Sequence, residues 1–559
     1  MTNLNVIEAV RFYINRMIED CGQSIKGLVM DKETSSIVSM VYAQSEILQK
    51  EVFLFERIDV AGQRSLKHLT AICFLRPTEE NIQALIRELQ EPKYGSYFIY
   101  FTNFVELNDI KSLAEADEYE CVRVIQEFYA DYLAINPHLY SLNIPMTYQK
   151  NYEWNDNLLR RTVQGLVSLL LSLRKKSATI RYQKSSYMSG MLAEKLANTL
   201  RRQLDFNASN INETSQTVVL IVDRREDAIT PLLNQWTYQA MVHELIGIKN
   251  NRVNLSQVPG VTKELEEVVM NAEYDEFYAD NLYNSFGEIA TNIKSLMEHF
   301  QEKHKSQSKI ESITDMKTFV ESYPQFKKLS GTVSKHVTIV SELSRLIGLH
   351  HLLETSETEQ NLVCQSDHNE IVQKIKQLVK DNNIRDEDIL RLICLYALRY
   401  ERRNGNEINS LKQEVQKYRQ FSNKYLQFMQ TILHYGGEKF RQADLFNTQT
   451  SMAITRNFIR GLKGVDNVYA QHIPLIKDLL EQLLRGKLKD TLYPKSISTT
   501  RTTNQVNEII VFVIGGITYE ESYHIHMMNK QGARIILGGS YIHNFSSFID
   551  EVLAGVSMS

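Results

Sequence analysis

The stretch from Val218 to Leu233, Val-Val-Leu-Ile-Val-Asp-Arg-Arg-Glu-Asp-Ala-Ile-Thr-Pro-Leu-Leu, joins an apolar run to five consecutive charges and then to a helix-start signal. Val218 to Val222 is continuous and mostly β-branched, as in a parallel strand covered on both faces. Thr230 followed by Pro231 reads as an N-cap and first helical residue, because proline there forfeits no intrahelical hydrogen bond. The charges Asp223 to Asp227 fall at the carboxyl end of the strand, where open α/β sheets bind ligands. An apolar strand ending in Asp also suits a magnesium-holding element of a phosphate-hydrolysing enzyme. That chemistry needs a phosphate-cradling loop, and no Gly-x-x-x-x-Gly-Lys-Ser/Thr occurs; Gly486-Lys487 lacks the earlier glycine and the following hydroxyl.

Working outward, 559 residues with 43% hydrophobic content are too many for one core, so several domains are expected. The 63 basic and 67 acidic residues nearly cancel, giving a formal net charge of -4 and no nucleic-acid footprint. Basic clusters such as Arg174-Lys175-Lys176 and Arg402-Arg403 read as solvated helix faces. The first residues carry no signal-peptide pattern, and the apolar run Gly165 to Leu173 is far short of the roughly 18 residues a membrane span needs. Membrane attachment is therefore expected through a partner, without direct insertion. Cys21, Cys73, Cys121, Cys364 and Cys394 are odd in number and widely spaced, which suits core thiols in a reducing compartment.

Residues Val6 to about Asn136 alternate helix and strand. Helices are expected at Val6 to Glu19, Ile37 to Gln49 and Thr78 to Gln90, and strands at Gly27 to Met30, Val52 to Phe55, Leu69 to Leu75, Tyr97 to Phe101 and Val122 to Tyr132. This spacing implies a parallel sheet covered by helices. Trp154 to Leu173 and Tyr187 to Leu204 read as helices leading to the Val218 strand. Ile509 to Ile514 and Arg534 to Leu537 are later apolar strands, each followed by Gly-Gly. The C-terminal segment is thus expected to complete the sheet begun near Val218, with Tyr238 to Ile473 as a helical insertion. Within it Phe326, Leu329, Val333, Val337, Val340, Leu343 and Ile347 form an apolar stripe at helical spacing, the pattern of ordinary bundle packing. Pro324 is expected to kink or end its helix, with Tyr323 pushed toward extended geometry.

Local chemistry signals are sparse. The Gly-Gly turns lack dinucleotide spacing, and His524-Ile-His526 and His350-His351 lack a third metal ligand. No nucleophile elbow occurs, so no reaction, metal or cofactor is called for. Asp223, Arg224 and Asp227, with Arg225 and Glu226, read as a structural network of ion pairs and hydrogen bonds. A nucleotide-binding α/β enzyme remains the alternative class.

Together these elements resemble the Sec/Munc (SM) family of SNARE-binding proteins. The likeness rests on Val218 to Leu233, its continuation Trp236-Thr-Tyr-Gln-Ala-Met, and the strands Ile510-Val-Phe-Val-Ile-Gly-Gly and Leu537-Gly-Gly-Ser. Leu28-Val-Met-Asp-Lys-Glu-Thr and Val52-Phe-Leu-Phe-Glu-Arg-Ile-Asp look most like the member acting between trans-Golgi network and endosomes. The resemblance implies an arch-shaped multidomain α/β fold, two parallel-sheet domains with a large helical insertion. Its divisions would be residues 1–137, then 138–245 with 474–559, then a helical hairpin at 246–355 and a helical part at 356–473.

It further implies a non-enzymatic SNARE chaperone. An outer pocket on the first domain would take the N-terminal peptide of a Qa-SNARE resembling syntaxin sixteen, at Ile110, Leu113, Val122, Ile125 and Glu127. These residues equally suit a helix packed on a sheet. A central cleft containing Asp31 would hold SNARE helices, and a hairpin carrying Pro324, Val333 and Val337 would align Qa- and R-SNAREs. Members that hold a closed syntaxin pair such an Asp with an Arg five residues on; here that position is Ser36, so the contact is absent. The assembled SNARE complex, Rab effectors and tethers are further expected partners, and no nucleic acid is.

Overall fold

The computed structural model describes residues 4–60, 65–175, 178–207, 217–307, 313–364, 367–446, 468–496 and 506–556. The chain divides into two units, Met1–Arg224 with Leu479–Ile517 and Ile525–Ile542, and Arg225–Asp478 with Thr518–His524 and His543–Ser559.

The first unit opens with helix α1 (Val6–Asp20), strand β1 (Lys26–Met30), helices α2 (Lys32–Val41) and α3 (Gln44–Leu48) and strand β2 (Val52–Arg57). Strand β3 (Leu66–Leu75), helix α4 (Glu79–Gln90), strand β4 (Tyr94–Phe101), helix α5 (Leu107–Ala116) and strand β5 (Val122–Glu127) follow. The five strands form a parallel sheet in the order β2-β1-β3-β4-β5. The helix expected from Ile37 to Gln49 instead begins at Lys32 and breaks near Tyr42. Asp31 accounts for the early start, since its side chain accepts from the Thr34 amide while Thr34 caps it in return. The strand expected from Val122 to Tyr132 stops at Glu127; the following chain makes the antiparallel hairpin β6 (Leu133–Asn136) and β7 (Leu139–Ser141) at one end of a second sheet.

Helix α6 (Asp156–Ser172), strand β8 (Thr179–Tyr182), helix α7 (Tyr187–Asn207) and strand β9 (Thr217–Asp223) lead out of this unit. The second unit is largely helical. It contains α8 (Tyr238–Leu245), the short hairpin β10 (Arg252–Asn254) and β11 (Glu267–Val269), and α9 (Glu276–Asn281). The long helices α10 (Phe286–Gln307) and α11 (Ile313–Leu349) come next, then α12 (Leu352–Cys364), α13 (His368–Leu378), α14 (Asp386–Tyr400), α15 (Ile408–Tyr418) and α16 (Asn423–Gly436). Among the described residues no helix is long and apolar enough to cross a membrane.

The C-terminal segment returns to the first unit as β12 (Lys495–Ser496), β13 (Glu508–Ile514) and β14 (Ile535–Gly539), giving the order β12-β8-β9-β13-β14-β7-β6. Strands β9 and β13 are parallel neighbours, and every residue of both is buried. That double burial is why each reads as an unbroken apolar run. At its start β13 carries a buried carboxylate, Glu508, which pairs with Lys175 at 2.7 Å. Lys175 is 7% exposed, so this member of the basic cluster is a buried ion-pair partner and not part of a solvated helix face. Arg402, at 77% side-chain exposure, is solvated.

Candidate functional site

The residues expected to line a peptide pocket gather on one edge of the five-stranded sheet, where α5 packs beside β5. The Asp117 carboxylate accepts from the Cys121 and Val122 amides, both at 2.9 Å, closing the turn that aims β5 back along the sheet. Leu113 is only 1% exposed and sits in the core with Ile99, Leu85 and Ala116; Val122 and Ile125 pack half-buried against that cluster. Ile110, one helical turn before Leu113, is half-buried. Leu113 therefore anchors α5 to the sheet, whereas Ile110, Val122 and Ile125 leave apolar surface at the edge. Among the described residues, β5 pairs with β4 alone.

Glu127 ties down the far end. Its carboxylate accepts from the Val105 amide at 3.0 Å and the Tyr129 hydroxyl at 2.8 Å. Burial, followed by the Glu127 charge, pushes the Tyr129 hydroxyl well above its usual range. Glu127 thus shapes the loop around the edge. Leu107, the first residue of α5, at 67% exposure, and Tyr119, just beyond its end, at 65%, were not singled out by sequence. The three-residue spacing of Leu107, Ile110 and Leu113 was the available signal.

Asp31 is placed differently from a ligand-facing carboxylate. It is 5% exposed; besides Thr34, it accepts from the Arg76 amide and the Asn81 side chain, both at 2.7 Å. Its oxygens are spent joining β1, α2 and the loop before α4. Ser36 donates to the Lys32 carbonyl at 3.2 Å, within α2.

The crevice beside Asp223 lies at the carboxyl ends of the neighbouring strands β9 and β13, the end of an open α/β sheet where ligands tend to bind. Here the chain fills it with its own side chain. Tyr148, fully buried, donates its hydroxyl to Asp223 and lies within 3.3 Å of the Ile514 carbonyl. Ser186 donates to the other Asp223 oxygen at 2.6 Å. Gly515, at φ +79°, lies under the tyrosine; a Cβ there would meet the Tyr148 hydroxyl at 2.4 Å. Only glycine fits that backbone and that approach. Arg224 donates to the Gly516 carbonyl at 3.0 Å. Tyr148 thus occupies the position beside Asp223.

Beyond Arg224 the charged run serves the second unit. Arg225 donates to the Tyr435 carbonyl at 2.8 Å, and Glu226 accepts from the Gln442 and Ala443 amides at 2.9 and 2.7 Å. Asp227 accepts from the Thr230 amide at 3.0 Å, the Thr230 hydroxyl at 2.6 Å and the Leu475 amide at 3.2 Å. Asp227 is the capping acceptor and Thr230 a donor to it. The turn Thr230–Leu232 is accordingly a single 3-10 turn, and the α-helix starts only at Tyr238.

In the hairpin region α11 runs through Pro324 without ending, so the proline does not stop the helix. A single missing amide bond in a 37-residue helix is outweighed by the bonds on either side and by the packing of its C-terminal half. Val333 is 9% exposed, and Val337 packs partly buried against the core that holds Ile339, Val340, Leu343 and Ile347. Both valines here contribute to bundle packing.

Residues 26–551 match the model of the Sec1 family, and the chain belongs to that family. This is the family already signalled by the Val218, Ile510 and Leu537 segments. Among its relatives, the vacuolar protein sorting-associated protein 45 of Homo sapiens is 53% identical over 554 residues, covering 99% of this chain and 96% of the relative. The protein of the same name from Saccharomyces cerevisiae is 34% identical over 582 residues, covering 98% and 99%. A solved structure, SM protein Vps45 in complex with Qa SNARE Tlg2, superimposes with a TM-score of 0.92 at 38% identity, covering 99% of this chain and 98% of that one.

Proposed function

We propose that this chain is a SNARE chaperone that binds a Qa-SNARE resembling syntaxin sixteen and guides SNARE assembly for vesicle docking and fusion in endosomal and vacuolar sorting. The observation that carries this reading is full-length similarity to a relative solved with a Qa-SNARE bound. The partner's N-terminal peptide would lie at the α5–β5 edge, placing an apolar side chain against Ile110, Val122 and Ile125. Burying one such side chain contributes roughly 1.5 to 3 kcal/mol. Leu113 would form the floor and Glu127 would hold the rim, while Asp31 would belong to a separate central cleft for SNARE helices. Pro324, with the stripe through Val333 and Val337, would belong to a hairpin on which Qa- and R-SNARE helices align. The four-part division at residues 137, 245, 355 and 473 belongs to the same reading.

The chain would act by binding, not by catalysis; the support is the strand-end crevice, which Tyr148 fills. Attachment to trans-Golgi and endosomal membranes would run through the SNARE, with the assembled SNARE complex, Rab effectors and tethers as further partners. Mixing the purified chain with the cytosolic region of a syntaxin-sixteen-like Qa-SNARE and measuring mass by light scattering tests the reading. A one-to-one complex is expected; two independently eluting species would refute it.

A further inference from the structure

The second unit contains a buried Asp–His–Tyr relay. His336 of α11, fully buried, lies with Nδ1 at 2.7 Å from the Tyr238 hydroxyl of α8 and Nε2 at 2.9 Å from Asp275 Oδ2. Asp275 also accepts from the Tyr278 amide at 3.0 Å, capping α9, and forms an ion pair with Lys335. Lys335 in turn donates to the Val269 carbonyl of β11 at 3.0 Å. Burial holds His336 below its usual value, so the neutral ring donates through Nε2 to the carboxylate and accepts the Tyr238 hydroxyl at Nδ1. With Tyr238 at 1% and Asp275 at 5% exposure, no substrate reaches the group. Its role is mechanical.

Position decides what that role is. Val333, His336, Val340, Leu343 and Ile347 repeat at alternating intervals of three and four, so the histidine occupies a core place in an otherwise apolar seam. A buried polar group in such a seam is satisfied in one register only. Sliding α11 by a turn would strand His336, Asp275 and Tyr238 without partners in a low-dielectric core. Toward the N-terminus the support ends: none of residues 327–332 is buried, and in α10 none of residues 294–302 is. Pro324 lies 12 residues above His336 on the helix, about 18 Å along the axis.

We propose that the Asp275–His336–Tyr238 relay, braced by Lys335, is the anchor of the α10–α11 hairpin: it fixes the register of α11 at residues 335–336 and confines rearrangement to the arm N-terminal of Val333. The use of that arm in SNARE alignment rests on the function proposed above; the anchor itself does not. Hydrogen–deuterium exchange on the full chain, without any SNARE, therefore tests the anchor separately from that function. Wild-type α11 amides should be protected from Val333 onward and exchange rapidly before it. Tyr238→Phe keeps the ring and removes the hydroxyl, and should accelerate exchange across residues 333–340 about tenfold, the factor equivalent to one buried hydrogen bond. Exchange in the five-stranded sheet should stay unchanged. His336→Gln should act in the same direction, and if it does not fold, Tyr238→Phe still decides the matter. Wild-type rates in Tyr238→Phe, or protection continuing unbroken N-terminal of Lys327, would overturn the proposal.

Discussion

Replacing Tyr148 with Phe removes one hydroxyl from the second sheet and leaves the ring in place. That hydroxyl donates to Asp223, a buried carboxylate whose other oxygen is bound by Ser186 at 2.6 Å. Hydrogen bonds to charged groups contribute about 1.5 to 3 kcal/mol. A loss of about 2 kcal/mol corresponds to roughly a 30-fold change in an opening equilibrium. The assay is hydrogen–deuterium exchange at β9 and β13, with β3 and β4 of the other sheet as internal reference. Exchange should accelerate about 30-fold in the first pair and stay constant in the second. Acceleration below about threefold at β9 and β13 would mean that the Tyr148 hydroxyl does not hold Asp223 in place.

Arg391 is fully buried between Glu244 and Asp388, with its guanidinium 4.0 Å from the Phe545 ring centroid. Arg391→Met should destabilise the second unit by about 3 to 5 kcal/mol by taking the cation from Glu244, while Asp388 keeps its pair with Arg385, measurable by calorimetry. For pH, His336 is the group to follow, faced by Asp275, Lys335, Tyr238, Phe277 and Tyr278. Burial depresses its folded value below the unfolded value of about 6.5, so the unfolded chain takes up the proton first. Its contribution is complete above that value and is lost as pH falls below it. Between pH values of about 7.5 and 5, the thermal midpoint of wild type should therefore drop further than that of His336→Gln. Pro324→Ala restores an amide donor and gains up to about 3 kcal/mol of helix propensity, so it should stiffen α11 and speed SNARE assembly; an unchanged assembly rate would count against the hairpin role.

Strands buried on both faces, β9, β13 and most of β3 and β4, were legible because uninterrupted apolar runs leave little other reading. β6, β7, β8 and β12 were not: at two to four residues they are shorter than any periodicity that could reveal them. Asp31 shows why a motif residue misleads. Its place before a helix was visible, but its use of Thr34, Arg76 and Asn81 depends on a loop 45 residues away. At the peptide edge the sequence supplied an apolar set without depth, so Leu113, which holds the core, stood level with Ile110, which does not. The relay at His336 was hidden in the same way, since nothing near position 336 announces Asp275 or Tyr238.

That difference in depth makes Ile110, and not Leu113, the residue to change at the peptide edge. Leu113→Arg would place a charge in the sheet core and confound folding with binding. Ile110→Asp changes a half-buried residue near the start of α5, where an acidic side chain suits the helix dipole. The deciding measurement is a calorimetric titration of the full chain and of Ile110→Asp with the N-terminal peptide of a syntaxin-sixteen-like Qa-SNARE. Wild type should bind, and the variant should bind about 30- to 150-fold more weakly, the equivalent of about 2 to 3 kcal/mol from lost apolar burial and an unpaired charge. Equal affinity in the two would contradict a peptide site at the α5–β5 edge, and no binding by wild type would contradict recruitment through that peptide.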